Sequence, residues 1–191
     1  MGRGLMPATD APLPEQTFDM RASAPAVPAP TQAAAKRAPS RPVARPTHVR
    51  ISDIGVDAPV RPETVSPDGE LVIPGHVGTL GWWAPGDGTS KDDPAGDLVL
   101  AGHVDMNGDL GALHDLSQVK PGAEVVLTGE DGHEETWQIE ALEVRHKNAL
   151  PQFTAEGDRR LALVTCGGPV IHDAHGRGYR DNVIAWARPA T

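Results

Sequence analysis

Arg160-Leu161-Ala162-Leu163-Val164-Thr165-Cys166-Gly167-Gly168 is a short apolar run closed by charge on one side and by two glycines on the other. An apolar run of about four to eight residues with such boundaries is too short for a typical helix and reads as a buried strand. This strand ends in Cys166, with Gly167 and Gly168 marking its end. The same pattern repeats outward along the chain. Residues 97–101 and 124–128 are similar runs, residues 49–54 and 136–144 alternate apolar with polar, and residues 182–187 complete the set. Gly129-Glu130-Asp131-Gly132 has hairpin-turn composition between two of them. With short strands at 58–60 and 70–73, the count is eight, which predicts an all-β barrel or sandwich. Helix is scarce. Residues 110–116 carry apolar side chains at spacings of three, enough for one or two turns, and Gly111 argues against more.

The chain has 191 residues, and its composition changes near Thr47. Residues 1–47 hold nine of the 19 prolines, eleven alanines and only two of the 21 glycines. A stretch such as Ala24-Pro25-Ala26-Val27-Pro28-Ala29-Pro30 sustains neither helix nor strand, so residues 1–47 are expected to be a disordered, polyproline-biased linker and residues 48–191 the folded domain. Six basic and three acidic groups in the linker leave eleven basic against 23 acidic groups in the domain. An acidic domain in a chain of net charge −9 argues against binding nucleic acid, or a membrane surface, through a basic patch. The single cysteine excludes an intramolecular disulfide, so the fold must rest on buried apolar area. No run approaches the roughly 18–20 apolar residues of a membrane span.

Two buried-looking strands end in reactive side chains: residues 98–102 lead into His103, and residues 161–165 into Cys166. A lone cysteine with a histidine elsewhere is a candidate nucleophile and base, because the thiolate attacks and an imidazole moves the proton. A free cysteine is also a common small core residue, and the pair alone leaves both readings open. Arg180, in Gly178-Tyr179-Arg180-Asp181-Asn182, adds a permanent charge able to hold an acyl substrate or stabilise an oxyanion.

The chain resembles the sortase family of cysteine transpeptidases, in particular its actinobacterial class F group. The resemblance rests on Leu163-Val164-Thr165-Cys166 with Arg180 following, on Ala101-Gly102-His103-Val104-Asp105 upstream, and on the order of several weaker stretches: residues 54–60, 67–71, Gly81-Trp82-Trp83 and 179–184. It implies a closed eight-stranded β-barrel with short helices or 3-10 turns. It also implies an N-terminal membrane anchor, which this sequence does not contain, ahead of the linker at the outer cell surface. Cys166 would be the nucleophile, His103 the general acid/base, and Arg180 the substrate clamp and oxyanion stabiliser. The substrate would be a protein bearing a C-terminal LPxTG-type sorting signal, the intermediate a thioacyl enzyme, and the acceptor a cell-wall amine such as peptidoglycan, or water. No cofactor, metal or second copy of the chain is implied.

Other residues were candidates for contact with substrate. Thr165 matches a substrate- or oxyanion-contacting position, against the alternative of a β-branched strand residue. Asp105 either orients His103 or stabilises a turn. Of Trp82 and Trp83, adjacent in an extended segment, at most one faces the cleft, and Trp83 is taken. His76 rivals His103 and Arg177 rivals Arg180, but Ala-Gly-His and the flanking Tyr179 and Asp181 favour His103 and Arg180. His172 and His175 fall short of the three or four clustered ligands of a zinc site. Two other functions fit the residues: a different cysteine hydrolase or L,D-transpeptidase, and a non-catalytic wall-binding β module in which Cys166 only packs.

Overall fold

The computed structural model describes residues 42–43, 45–66, 71–85, 95–173 and 176–191. The expected linker at 1–47 falls almost wholly outside the described residues, as does the Pro67-Asp68-Gly69-Glu70 turn. Ten strands are described: β1 Pro46–Ile51, β2 Val56–Pro62, β3 Leu80–Trp83, β4 Asp97–Ala101, β5 Asp105–Met106, β6 Asp109–Leu110, β7 Glu124–Gly129, β8 Glu134–His146, β9 Arg160–Asp173 and β10 Gly176–Pro189. Eight of them close into a barrel in the order β1-β2-β3-β4-β9-β10-β8-β7, while β5 and β6 form a small separate hairpin. The pairs β2–β3 and β4–β9 are parallel and the other neighbours antiparallel. Three single-turn 3-10 segments, Ser52–Ile54, Leu116–Gln118 and Lys147–Ala149, are the only helical elements among the described residues. No helix there is long and apolar enough to cross a membrane.

The expected closed eight-stranded barrel is present, with one exchange among its strands. Residues 71–73 join no barrel strand; Leu71 makes only an isolated bridge to Val65. Their place is taken by β3, which pairs with β2 and β4 and whose Gly81-Trp82-Trp83 was not counted among the expected strands. A second correction concerns β9. Gly167-Gly168 does not end the strand, which runs on to Asp173 and forms a long arm with β10. The register slips between Tyr179 and Asp181, where two steps on β10 span three on β9. Gly168 takes a left-handed φ of +71° at this bulge, so the ladder resumes instead of stopping.

Period-2 alternation sorts side chains to the two faces of the barrel wall. Leu98 and Leu100 of β4, Leu161 and Leu163 of β9 and Val183, Ala185 and Ala187 of β10 point inward to the main core with Trp137 and Ile139. The intervening Val99, Ala101, Ala162, Val164 and Ile184 form a second apolar cluster on the outer face, covered by Leu71, Ile73, Trp83, Phe153 and Trp186.

Packing begins ahead of β1. Val43 is 1% exposed and belongs to the main core. Its backbone N–H donates to the Glu135 carboxylate at 2.7 Å, and Arg159 pairs with the same carboxylate while lying 4.7 Å over the Trp137 ring. Glu135 is 1% exposed, so removing its partner would leave a buried charge uncompensated. Arg159→Ala is therefore expected to destabilise the fold by ~3 kcal/mol or more. The check is urea denaturation: a lowered midpoint at constant slope is expected, and a midpoint unmoved from the parent contradicts it.

Candidate active site

Three rows of side chains cross β4, β9 and β10 on the outer face. Trp83, Val99, Ala162 and Trp186 are cross-strand neighbours in one row, and Ala101, Val164 and Ile184 in the next. One further step of two residues along each strand reaches His103, Cys166 and Asn182, with Cys166 directly paired to Asn182. Arg180 is two residues beyond Asn182 on the same face of β10. His103, just past β4, and Cys166 on β9 thus come together at the end of an apolar floor and line one cleft, whereas Arg180, two residues beyond Asn182 on β10, is paired with Asp181 and does not line that cleft.

His103 follows the last residue of β4 and is half-buried. Its Nε2 lies 2.9 Å from the Pro74 carbonyl oxygen. A carbonyl only accepts, so Nε2 carries a hydrogen and donates it, and in the neutral ring Nδ1 is left as the proton-accepting atom. The backbone of His103 is gripped as well: its carbonyl accepts from the Leu113 N–H at 3.2 Å, and Gly111 donates to the Val104 carbonyl at 2.9 Å. A Cβ on Gly111 would stand 1.9 Å from the His103 oxygen, so only glycine admits this approach.

Cys166 is a free, partly exposed thiol. Arg180 donates from Nε and Nη2 to the two carboxylate oxygens of Asp181, each at 2.9 Å, in a bidentate pair. The Asp181 carboxylate in turn needs the space at Gly168, where a Cβ would lie 2.2 Å from Oδ2. The glycine after the cysteine strand thereby supports the arginine.

Beyond Cys166 a cleft of ≈ 610 Å³ opens between the β5–β6 hairpin and the β9–β10 arm, lined by His103, Asp105, Lys147, Cys166, Arg177 and Tyr179 among others. Asp105 Oδ2 accepts from the Tyr179 hydroxyl at 2.6 Å and from Arg177 Nη2 at 3.2 Å. The Tyr179 hydrogen bond first, and Arg177 second, hold the Asp105 carboxyl below the usual carboxylate range. The same hydrogen bond raises Tyr179 above the ordinary phenol range. Asp105 thus neither caps a simple turn nor bonds the imidazole; it ties the hairpin after His103 to the arm before Arg180.

The remaining sequence candidates separate cleanly. Thr165 faces the barrel interior, 3% exposed, and its hydroxyl donates to the Gly102 carbonyl at 2.8 Å, joining the cysteine strand to the residue before His103. Trp82 is in the main core, whereas Trp83 faces outward with Phe153 edge-on at 6.4 Å. Trp83 is on the site's face but two rows along and two strands across, roughly 16 Å, from Cys166. His76 is occupied in its own turn, with Nδ1 accepting from the Gly78 N–H at 3.2 Å. Arg177 is engaged with Asp105. His172 is exposed on the arm, and His175 lies outside the described residues. Asn182, the cross-strand partner of Cys166, was not among the sequence candidates because its place there depends on strand pairing.

A Sortase domain family model matches residues 49–190. No curated protein matches the sequence. Among solved structures, the chain is similar to sortase C2 of Group B Streptococcus pilus island 1, with 20% identity, TM-score 0.51, and 75% of this chain and 73% of that one covered. It is similar to Listeria monocytogenes sortase A with 15% identity, TM-score 0.52 and coverage of 78% and 88%. Sortase A of Corynebacterium diphtheriae gives 16% identity, TM-score 0.51 and coverage of 79% and 62%. At such identities the likeness is one of fold. The domain match, running from within β1 to one residue past β10 of a closed barrel, carries the assignment further: this chain belongs to the sortase family, whose enzymes are cysteine transpeptidases.

Proposed function

We propose that this protein is a class F-type sortase that cleaves a C-terminal LPxTG-type sorting signal through a thioacyl intermediate on Cys166 and passes the acyl group to a cell-wall amine or to water. The observation that carries the reading is the single outward row of His103 and Cys166, with Arg180 on the same face, at the end of the apolar floor made by Ala101, Val164 and Ile184. An extended peptide lying across the half-buried side chains that cover that floor, Leu71, Ile73 and Trp83 among them, would bury its apolar residues and bring a backbone carbonyl to the thiol.

In the first half-reaction the Cys166 thiolate attacks the carbonyl carbon, a C–S bond forms, and the carbonyl electron pair moves to oxygen. Arg180 stabilises that oxyanion. Collapse breaks the C–N bond, and imidazolium His103 gives its Nδ1 proton to the departing amine. In the second half the acceptor amine attacks the thioester, loses a proton to His103, and expels the Cys166 thiolate. The cleft on the far side of Cys166 from the floor is where leaving group and acceptor would pass. The reading carries with it attachment at the outer face of the membrane, with the residues ahead of Val43 as spacer, since Val43 and β1 from Pro46 already belong to the barrel.

A quenched fluorescent peptide containing the sorting motif tests this. The chain is expected to cleave it under reducing conditions, and an added amine is expected to divert the acyl group from hydrolysis into a ligated product. Failure to cleave any LPxTG-type peptide would contradict the substrate assignment.

A further inference from the structure

We propose that Asn182 is a further catalytic residue, whose carboxamide donates a hydrogen bond to the substrate carbonyl oxygen as negative charge builds there during attack by Cys166. The proposal rests on the sortase reading above and extends it to a group that the motifs do not supply.

Three observations carry it. Asn182 is the direct cross-strand partner of Cys166 in the β9–β10 ladder. Such partners point to the same face with Cβ atoms ~4.5–5.5 Å apart, so the carboxamide and the thiol are neighbours whatever else moves. Alternation along β10 puts Arg180 on that face too, two residues away, with Ile184 on the other side. The second observation is chemical. Asn182 is only 8% exposed and opens the run Asn182-Val183-Ile184-Ala185-Trp186-Ala187, in which every other residue is apolar. Among the described residues this carboxamide has no protein hydrogen-bond partner, and it is not sealed from solvent, so its N–H groups are open to an incoming group. A substrate carbonyl brought to Cys166 would arrive within reach of that open donor. Third, two N–H positions of Arg180 are already committed to Asp181. An oxyanion beside Cys166 gains from a second, neutral donor held rigidly by the sheet. No proton is transferred by Asn182; its N–H stays on nitrogen while the carbonyl electron pair moves to oxygen and back.

The test compares Asn182→Leu, Asn182→Ser and the parent chain in peptide cleavage and, separately, in alkylation of Cys166 by iodoacetamide. Alkylation displaces iodide at carbon and builds no oxyanion, so it reports the thiol alone. Asn182→Leu is expected to lose ~10²–10³-fold in kcat with little change in KM. Its alkylation rate is expected to match the parent's, and Asn182→Ser, which keeps a donor, should recover part of kcat. A leucine variant with parental kcat overturns the proposal. So does a kcat loss matched by an equal loss of alkylation, because Asn182 would then act on the placement of the thiol. Should the parent chain itself leave the peptide intact, the substrate assignment falls first, and the proposal with it.

Discussion

Cys166→Ala is expected to reduce sorting-peptide cleavage to the uncatalysed background, at least ~10⁴-fold below the parent. Cys166 is the only thiol in the chain and sits on the outer row with His103, so no neighbouring sulfur can take over. Arg180 and the apolar floor are untouched by the change, and peptide binding is expected to survive it. The diagnostic pattern is therefore a vanished kcat with a dissociation constant near the parental one, measured by fluorescence anisotropy on a labelled peptide. Cys166→Ser is expected to be nearly as inactive, since a hydroxyl ionises far less readily than a thiol near neutral pH. Cleavage that persists in Cys166→Ala and ignores iodoacetamide would mean that the nucleophile lies elsewhere.

Gly111→Ala is the second large effect, and it acts without touching any reacting atom. The added methyl would meet the His103 carbonyl oxygen at 1.9 Å and its carbon at 2.4 Å. Both are backbone atoms, so no side chain can swing aside. The strain has two exits: the segment around Gly111 moves away, or the peptide of His103 turns. Either displaces the imidazole from its contact with the Pro74 carbonyl, and a misplacement of about 1 Å in a catalytic group can cost ~10²-fold in rate. The barrel core is built from other strands, so the variant should fold, with a stability loss of ~1–3 kcal/mol. The measurement is kcat/KM beside a thermal melt: a large kinetic loss in a folded protein is expected. A variant with parental kinetics would show that the close approach does not hold His103.

Glycine 111 also shows how far the sequence could be read. Its presence correctly limited the segment to turns, but the reason visible in sequence was helix propensity, whereas in three dimensions the carbonyl of His103 occupies the place of its Cβ. The barrel itself was legible because most of its strands carry apolar runs or clean alternation that survive as buried and outward faces. β3 was not, since a four-residue strand containing glycine and two tryptophans has no period to read. Leu71-Val72-Ile73 was over-read for the opposite reason: three β-branched or apolar residues look like a strand, yet here they lay Leu71 and Ile73 across the outer cluster. The extension of β9 past Gly168 depends on a bulge that only the pairing with β10 reveals.

Within the site, His103, Cys166 and Arg180 were visible as strand-end chemistry and as a family pattern; His103 and Cys166 line one cleft, and Arg180 stands two residues from Asn182, the partner of Cys166, on β10. Family membership also decides between the enzyme and the non-catalytic module that the residues alone left open. Thr165 could have been placed from alternation, because Leu161 and Leu163 share its parity and face inward. Asn182 could not, because its place depends on a cross-strand register between residues sixteen positions apart in the chain. Asp105 and Tyr179 likewise meet only once the hairpin folds back on the arm.

Intact mass spectrometry of the chain mixed with an LPxTG-type peptide tests the central claim most directly, because one thiol gives one possible adduct. The account predicts a species heavier by the acyl portion of the peptide N-terminal to the scissile bond, located to Cys166 by fragmentation, absent from Cys166→Ala, and released by hydroxylamine. Peptide cleavage without any such adduct, or an adduct that persists in Cys166→Ala, would contradict it.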